Sequence, residues 1–329
     1  MLGALLDGLA RLGRFADPLA WVVIAAFTAG ALARWREHPA ARAVTVGAWI
    51  AFALFWLSLL HHFAFVQKSI VEGAGTLVAV PASLYVGFLL ARGRDSLFVL
   101  SRAIAAMGLV FVPFETIPPL AEVLIEAVTR QTEFLMALVG PEPTVVPGTA
   151  VPGGEYAAYR NTFLFVDPTG HRITYTILLA CTGLGSMAIF GGLIAATEAP
   201  LARKARALAV SVPVIYALNL VRNVFIGLGF GTQQFHLYPD LLMTAFGIED
   251  PYKVSYLVAD RILAQSLSVV ALVGITWLVV RELPELLVVV EDVLFVATGS
   301  EYDLRSAMGV GGRTGAMGER ADVRADGNG

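Results

Sequence analysis

The chain has 329 residues, of which 57% are hydrophobic and 15% charged, with a net charge of −3 and a mean hydropathy of +0.72. Soluble domains carry about 45–50% apolar and about 25% charged residues, so this balance excludes an ordinary soluble domain and indicates a polytopic all-α membrane protein. A single cysteine excludes an internal disulfide framework and a four-cysteine zinc site, and no nucleic-acid partner is expected.

Uncharged runs near 20 residues are the signature of helices that cross about 30 Å of hydrocarbon. Seven spans are expected, at 18–34, 42–64, 75–91, 97–116, 173–196, 207–230 and 257–280. Residues 1–33 also carry signal-peptide features: Arg11 and Arg14 precede an apolar run, and Ala31-Leu32-Ala33 resembles a cleavage site. Arg34, Trp35 and Arg36 read instead as an interfacial stop, which favours a retained helix.

Basic residues set the orientation, because cytoplasmic loops keep the excess of Lys and Arg. Arg34, Arg36 and Arg42, then Arg92 and Arg94, then Arg203, Lys204 and Arg206, and last Arg281 fall at alternate ends of the spans. The intervening loops balance Lys68 against Glu72, and Lys253 against Asp240, Glu249 and Asp250. The N-terminus is therefore expected outside and the C-terminus in the cytoplasm. Residues 1–298 form the membrane domain, and 299–329, rich in Gly, Asp, Arg and Ala, are expected to be a disordered cytoplasmic tail.

The long connection 117–172 is extracytoplasmic on this topology. Leu120, Val123, Leu124, Ala127, Val128, Phe134, Leu135 and Leu138 recur at helical spacing behind Pro118 and Pro119. They predict an amphipathic helix that lies on the outer surface or covers the bundle. Thr162–Val166 and Arg172–Tyr175 flank Asp167-Pro168-Thr169-Gly170, which predicts a short β-hairpin.

Three residues stand out inside spans. Cys181 lies about eight residues, roughly 12 Å, from the outer end of the fifth span if that span is helical throughout. Arg222 lies at a similar depth in the sixth, and Arg261 about one turn deep in the seventh. All three fall in the outer half of the bilayer. An arginine within a span costs a few kcal/mol and usually faces a polar cavity or a partner; Asn219 shares the helical face of Arg222, and Asp260 neighbours Arg261. A guanidinium beside a thiol favours the nucleophilic thiolate against the opposing effect of burial, and arginines can hold the oxyanion of an attacked carbonyl. The bland readings stay open: a cysteine packed among Thr182, Gly183, Gly185 and Ser186, and arginines reaching to the interface, as Arg102 does near the cytoplasmic end of its span. His61 and His62 read as an interfacial pair. His171 is either a loop histidine or a general base. No spacing fits a metal site, and no Walker loop, dinucleotide fingerprint or Gly-x-Ser-x-Gly elbow occurs, so no metal or cofactor is expected.

ACTGLGS at 180–186, NLVRN at 219–223 and DRILAQ at 260–265 resemble the exosortase/archaeosortase family, in particular its archaeal branch, which has an arginine rather than a histidine at the third position. The resemblance implies a membrane-embedded cysteine transpeptidase. Its substrates are surface-protein precursors with a C-terminal signal made of a Pro-Gly-Phe-type motif, an apolar helix and a basic end. Its acceptor is a membrane lipid. By resemblance Cys181 is the nucleophile that forms a thioester, Arg222 the activating arginine and Arg261 the third catalytic residue, with Asn219, His171 and Asp260 in support. The competing reading from the residues is a small-molecule transporter whose buried arginines bind an anionic substrate. It predicts inverted repeats, and no repeat is evident.

Overall fold

The computed structural model describes residues 2–66, 70–140, 142–151 and 159–307. Lys68, the Pro-Gly-rich stretch 152–158 and the tail from 308 lie outside them.

In chain order the helices are α1 (Leu2–Gly13), α2 (Ala16–Trp35), α3 (Ala41–His61, continued by a π-helical turn), α4 (Ile70–Ala91), α5 (Leu97–Thr116) and α6 (Pro118–Val139). Strands β1 (Thr144–Pro147), β2 (Arg160–Val166) and β3 (Arg172–Thr176) follow. Then come α7 (Leu184–Ala196), α8 (Leu201–Gly231), α9 (Pro239–Phe246), α10 (Lys253–Tyr256), a π-helical segment Leu257–Ala264, α11 (Gln265–Glu282), α12 (Leu287–Thr298) and α13 (Leu304–Ala307).

Among the described residues six helices are long and apolar enough to cross a membrane. They correspond to six of the seven expected spans, and the protein is a multi-pass membrane protein. The fifth stretch, 173–196, differs. Its first residues alternate Ile173, Tyr175 and Ile177 inward with Thr174 and Thr176 between them, a pattern that suits a strand as well as it suits lipid. With β2 available as a partner they form β3, and only Leu184–Ala196 is helical. The helical depth expected for Cys181 therefore does not apply; it lies in an irregular turn just before α7.

The chain divides into two compact units: 1–108 with 192–207 and 280–329, and 109–191 with 208–279. The first is built on α2, α3 and α4. Phe27 meets Trp49 edge-on at 5.2 Å, and Trp49 Nε1 donates to Ser101 Oγ at 3.0 Å. Gly30 admits Thr45 at a separation that a Cβ would close. Arg94 organises the far end of this unit. It pairs with Asp292 at 2.9 Å and Glu301 at 2.7 Å and lies 3.8 Å over the Phe295 ring, so α12 and the start of the tail region are tied down.

The second unit carries a three-stranded antiparallel sheet in the order β1-β2-β3. The expected hairpin is present, with Val166 paired to Arg172 around the turn, and β1 is an addition. The amphipathic helix is α6. Its buried stripe is Ala121, Ile125, Val128, Thr129, Thr132 and Met136, at spacings of three and four, and it packs on a core that includes Phe163 and Tyr175. Val123, Phe134 and Leu138 point away and are 64–70% exposed. Small and β-branched residues face the protein, because the sheet approaches closely there, while several of the large apolar ones face outward.

Removing Arg94 leaves the buried Asp292 carboxylate without its counter-charge, with the Ser96 hydroxyl still donating to it at 2.9 Å. Arg94→Met is expected to destabilise the protein by about 3–5 kcal/mol, and adding Asp292→Leu is expected to restore part of that. Thermal melting in detergent measures both, and equal melting of Arg94→Met and the unsubstituted chain refutes the clamp.

Candidate functional site

The site grows from the break between β3 and α7. Leu179–Thr182 form a single 3-10 turn, closed by Cys181 N–H donating to the Leu178 carbonyl at 2.8 Å. Gly183 then adopts φ +77°, a left-handed conformation that glycine takes without penalty. A Cβ there would lie 3.1 Å from the Asn219 side chain, so glycine also permits α8 to approach. Thr182 Oγ1 accepts from Leu184 N–H at 3.3 Å and caps the start of α7. Cys181 is thus a partly buried free thiol in a rigid turn at a helix N-terminus, where the local dipole favours negative charge.

The turn leaves the Cys181 carbonyl without a helical partner. Two amides on α8 supply one: Asn219 Nδ2 donates at 2.7 Å and Asn223 Nδ2 at 2.8 Å. They are four residues apart, hence on one helical face. Asn223 is fully buried, and its Oδ1 accepts from Tyr175 OH at 3.4 Å, which links β3 to the same grip.

Arg222 lies between the two asparagines in sequence. Its Nη2 donates to Asp260 Oδ1 at 2.6 Å, with the side chains 26% and 11% exposed. Asp260 belongs to the π-helical segment, a local form frequent at functional sites. Tyr256, one turn before Asp260, is a near neighbour of its carboxylate. Arg261 Nε stands 3.7 Å from Asp260 Oδ2, but this guanidinium is 57% exposed. Arg222 and Asp260 are the charged side chains whose fields reach Cys181.

Of the residues expected from sequence, Cys181, Asn219, Arg222 and Asp260 therefore come together, and Arg261 joins through Asp260. His171 belongs to a different cluster. Its ring stacks on Tyr252 at 3.9 Å between centroids, and its N–H donates to Asp167 Oδ1 at 2.8 Å. From the sequence Asn223 stands out only as a polar flank of Arg222 within NLVRN, and Tyr175 and Tyr256 do not stand out at all. Asn223 was the legible one, at i+4 from Asn219; the tyrosines arrive through strand pairing and the π segment. Among the described residues no His/Cys/Asp/Glu group could hold a metal ion. Arg102, the expected interfacial anchor, pairs with Glu198 at 3.0 Å.

Residues 16–249 match the family model for transmembrane exosortases. The chain belongs to the exosortase family. It is 53% identical over 308 residues to archaeosortase A of Haloferax volcanii, covering 91% of this chain and 99% of that protein. It is 46% identical over 307 residues to archaeosortase A of Natronomonas pharaonis, covering 89% and 93%. No solved structure matches. The family match places the irregular Cys181 turn, both asparagines and Arg222 inside the matched region, while Asp260 and Arg261 lie beyond its end.

Two expectations follow. With both Asn219 and Asn223 replaced by alanine, the Cys181 carbonyl loses both side-chain donors; the double variant is expected to lose about 1–3 kcal/mol, each single variant less. A melting temperature unchanged in the double variant refutes the grip. Asp167, outside the membrane spans, is held below its ordinary value of 3.8, down to about 2, first by the Thr169 hydroxyl and then by backbone N–H of His171 and Thr169 and by Tyr252 OH. A depressed carboxyl contributes stability above its unfolded pKa and loses it as pH falls through the folded one. Protection of the Thr169 and His171 amides from hydrogen exchange, corrected for intrinsic rate, is therefore expected to persist at pH 4 and vanish near pH 2. Loss already at pH 5 contradicts it.

Proposed function

We propose that the chain is a cysteine transpeptidase that cleaves the C-terminal sorting signal of surface-protein precursors and joins the new C-terminus to a membrane lipid. The observation that carries this reading is the double amide grip on the Cys181 carbonyl, made from the residues three before and one after Arg222, which holds the thiol turn and the guanidinium in one fixed relation. The likeness to two archaeosortases supports the substrate class, and the resemblance of the three motifs supports the signal: a Pro-Gly-Phe-type motif, an apolar helix and a basic end.

The chemistry runs in two displacements. Cys181 Sγ, as thiolate, attacks the scissile carbonyl and a tetrahedral oxyanion forms. Arg222 stabilises both negative charges in turn. Asp260 takes one nitrogen of the guanidinium and fixes its plane, and the fork has further N–H donors to offer. The oxyanion collapses, the C–N bond breaks, and the leaving amine takes up a proton in place of the one lost by the thiol. The thioester is then attacked by an amine-bearing lipid headgroup, which loses a proton as the Cys181 thiolate departs. Arg261, exposed beside Asp260, is the third member and faces the side from which substrate or lipid arrives. On the topology argued from the basic loops, the site faces outside and the C-terminus lies in the cytoplasm.

Intact mass of a precursor bearing the tripartite signal tests the reading. With the unsubstituted enzyme the C-terminal peptide is lost and a lipid-sized mass is gained; with Cys181→Ala neither occurs. Arg222→Ala is expected to slow processing by about 100-fold or more, the scale of a lost oxyanion donor, and Arg222→Lys not to restore it fully, because lysine lacks the planar fork. Loss of the peptide without the lipid mass points to a protease, and equal masses with and without Cys181 would falsify the thiol mechanism.

A further inference from the structure

Two hollows flank the ion pair, and both α8 and the segment from Tyr252 into α11 order them the same way. The first, of about 820 Å³, is lined by Thr144, Val166, Asp167, Thr232, His236 and Tyr252 among others. The second is a narrow cleft of about 90 Å³ whose walls include Ser186 of α7, Leu218 and Arg222 of α8, and Ser268, Ala271 and Leu272 of α11. Along α8, Thr232 follows the helix end, Arg222 stands about ten residues, roughly 15 Å, before it, and Leu218 a further turn away. Along the other element Tyr252 comes first, then Asp260, then Ser268 and Leu272. Along both elements the Arg222–Asp260 pair therefore lies between a larger cavity of mixed polar and apolar lining and a small apolar cleft.

The two hollows suit different chemistry. At the cavity, β2 outruns β1: pairing with β1 begins at Thr144↔Leu164, while Phe165 and Val166 pair with β3 alone, and the β1-side neighbour, Pro143, has no N–H. A free strand edge of this kind accepts an extended peptide. At the cleft, the span Lys253–Glu282 is the least buried of the six, at 17% against 28–33%. Nothing lies within 4 Å of a Cβ added at Gly274 of α11 or Gly185 of α7. Helices in lipid associate through small residues that let backbones approach, and Gly183, Ser186, Ser268 and Ala271 line the cleft together with Arg222.

We infer that one polypeptide occupies both hollows: its extended segment lies in the cavity along the open edge of β2, and the apolar helix that follows docks in the cleft between α8 and α11. This rests on the transpeptidase reading and adds where each part of the substrate lies. The order along the two elements sets the direction, with the scissile bond at the junction beside Cys181. The cleft receives one ridge of the docking helix, and its other faces remain in lipid.

The path is tested with benzoylphenylalanine placed at Leu272 or at Thr232 in the full-length Cys181→Ala enzyme, in membranes with a precursor tagged on both sides of its cleavage point. Light is expected to join Leu272 to the part C-terminal to that point and Thr232 to the part N-terminal to it. Exchanged partners, or no adduct at Leu272 while the unsubstituted enzyme still processes the precursor, overturn the path and leave the transpeptidase standing. Failure of the unsubstituted enzyme to process any precursor overturns the functional reading and the path with it. As a second readout, Ala271→Trp fills the cleft and is expected to slow processing at least tenfold while a small thiol reagent alkylates Cys181 at the unsubstituted rate. Unchanged processing by that variant refutes the docking site.

Discussion

The Arg222–Asp260 pair is the constraint around which the second unit is arranged. A charge placed within a membrane span is costly unless it is paired or reaches water. Here one charge comes from α8 and the other from the π-helical start of the last span, so satisfying either fixes both elements. Once Arg222 is held, the asparagines on either side of it in sequence have a set direction, and both end on the Cys181 carbonyl. The ion pair thus positions the thiol turn through the backbone of α8 rather than by touching it.

That turn exists because the chain stops being regular at the right place. β3 ends at Thr176, a 3-10 turn carries Cys181, and Gly183 reverses the backbone into α7. A continuous helix through 173–196 would bind its own carbonyls and leave none for Asn219 and Asn223. It would also present Cys181 as one more side chain on a cylinder. The irregular stretch instead leaves the Cys181 carbonyl outside any helical ladder, and protein side chains supply its partners. The sheet, α6 and the two amides provide that setting.

The same logic explains why α6 has three faces. Ala, Thr and β-branched residues meet the sheet, Glu122, Glu126 and Glu133 lie beside them, and Val123, Phe134 and Leu138 face outward. A helix with a protein face and a separate apolar face suits a position between a folded domain and a lipid boundary.

Much of this was legible in the residues themselves. Hydropathy located six spans, because an apolar layer of about 30 Å demands long uncharged runs, although 173–196 met the same demand without forming a spanning helix. Pro118-Pro119 marked the start of α6, and Asp167-Pro168-Thr169-Gly170 marked the hairpin turn. The chemically distinctive residues, Cys181, Arg222, Asp260 and Arg261, were visible as exceptions to composition. Tertiary structure decided which partners each of them meets. Ile173–Ile177 is hydrophobic enough for lipid and alternates well enough for a strand, and only the presence of β2 selected the strand. Asp260 looked like the companion of Arg261, its neighbour in sequence. The π-helical turn instead aims its carboxylate at Arg222, 38 positions away. Composition reports what a segment can tolerate around it, whereas the partner of a strand edge or a buried charge is set by which distant segment folding brings alongside.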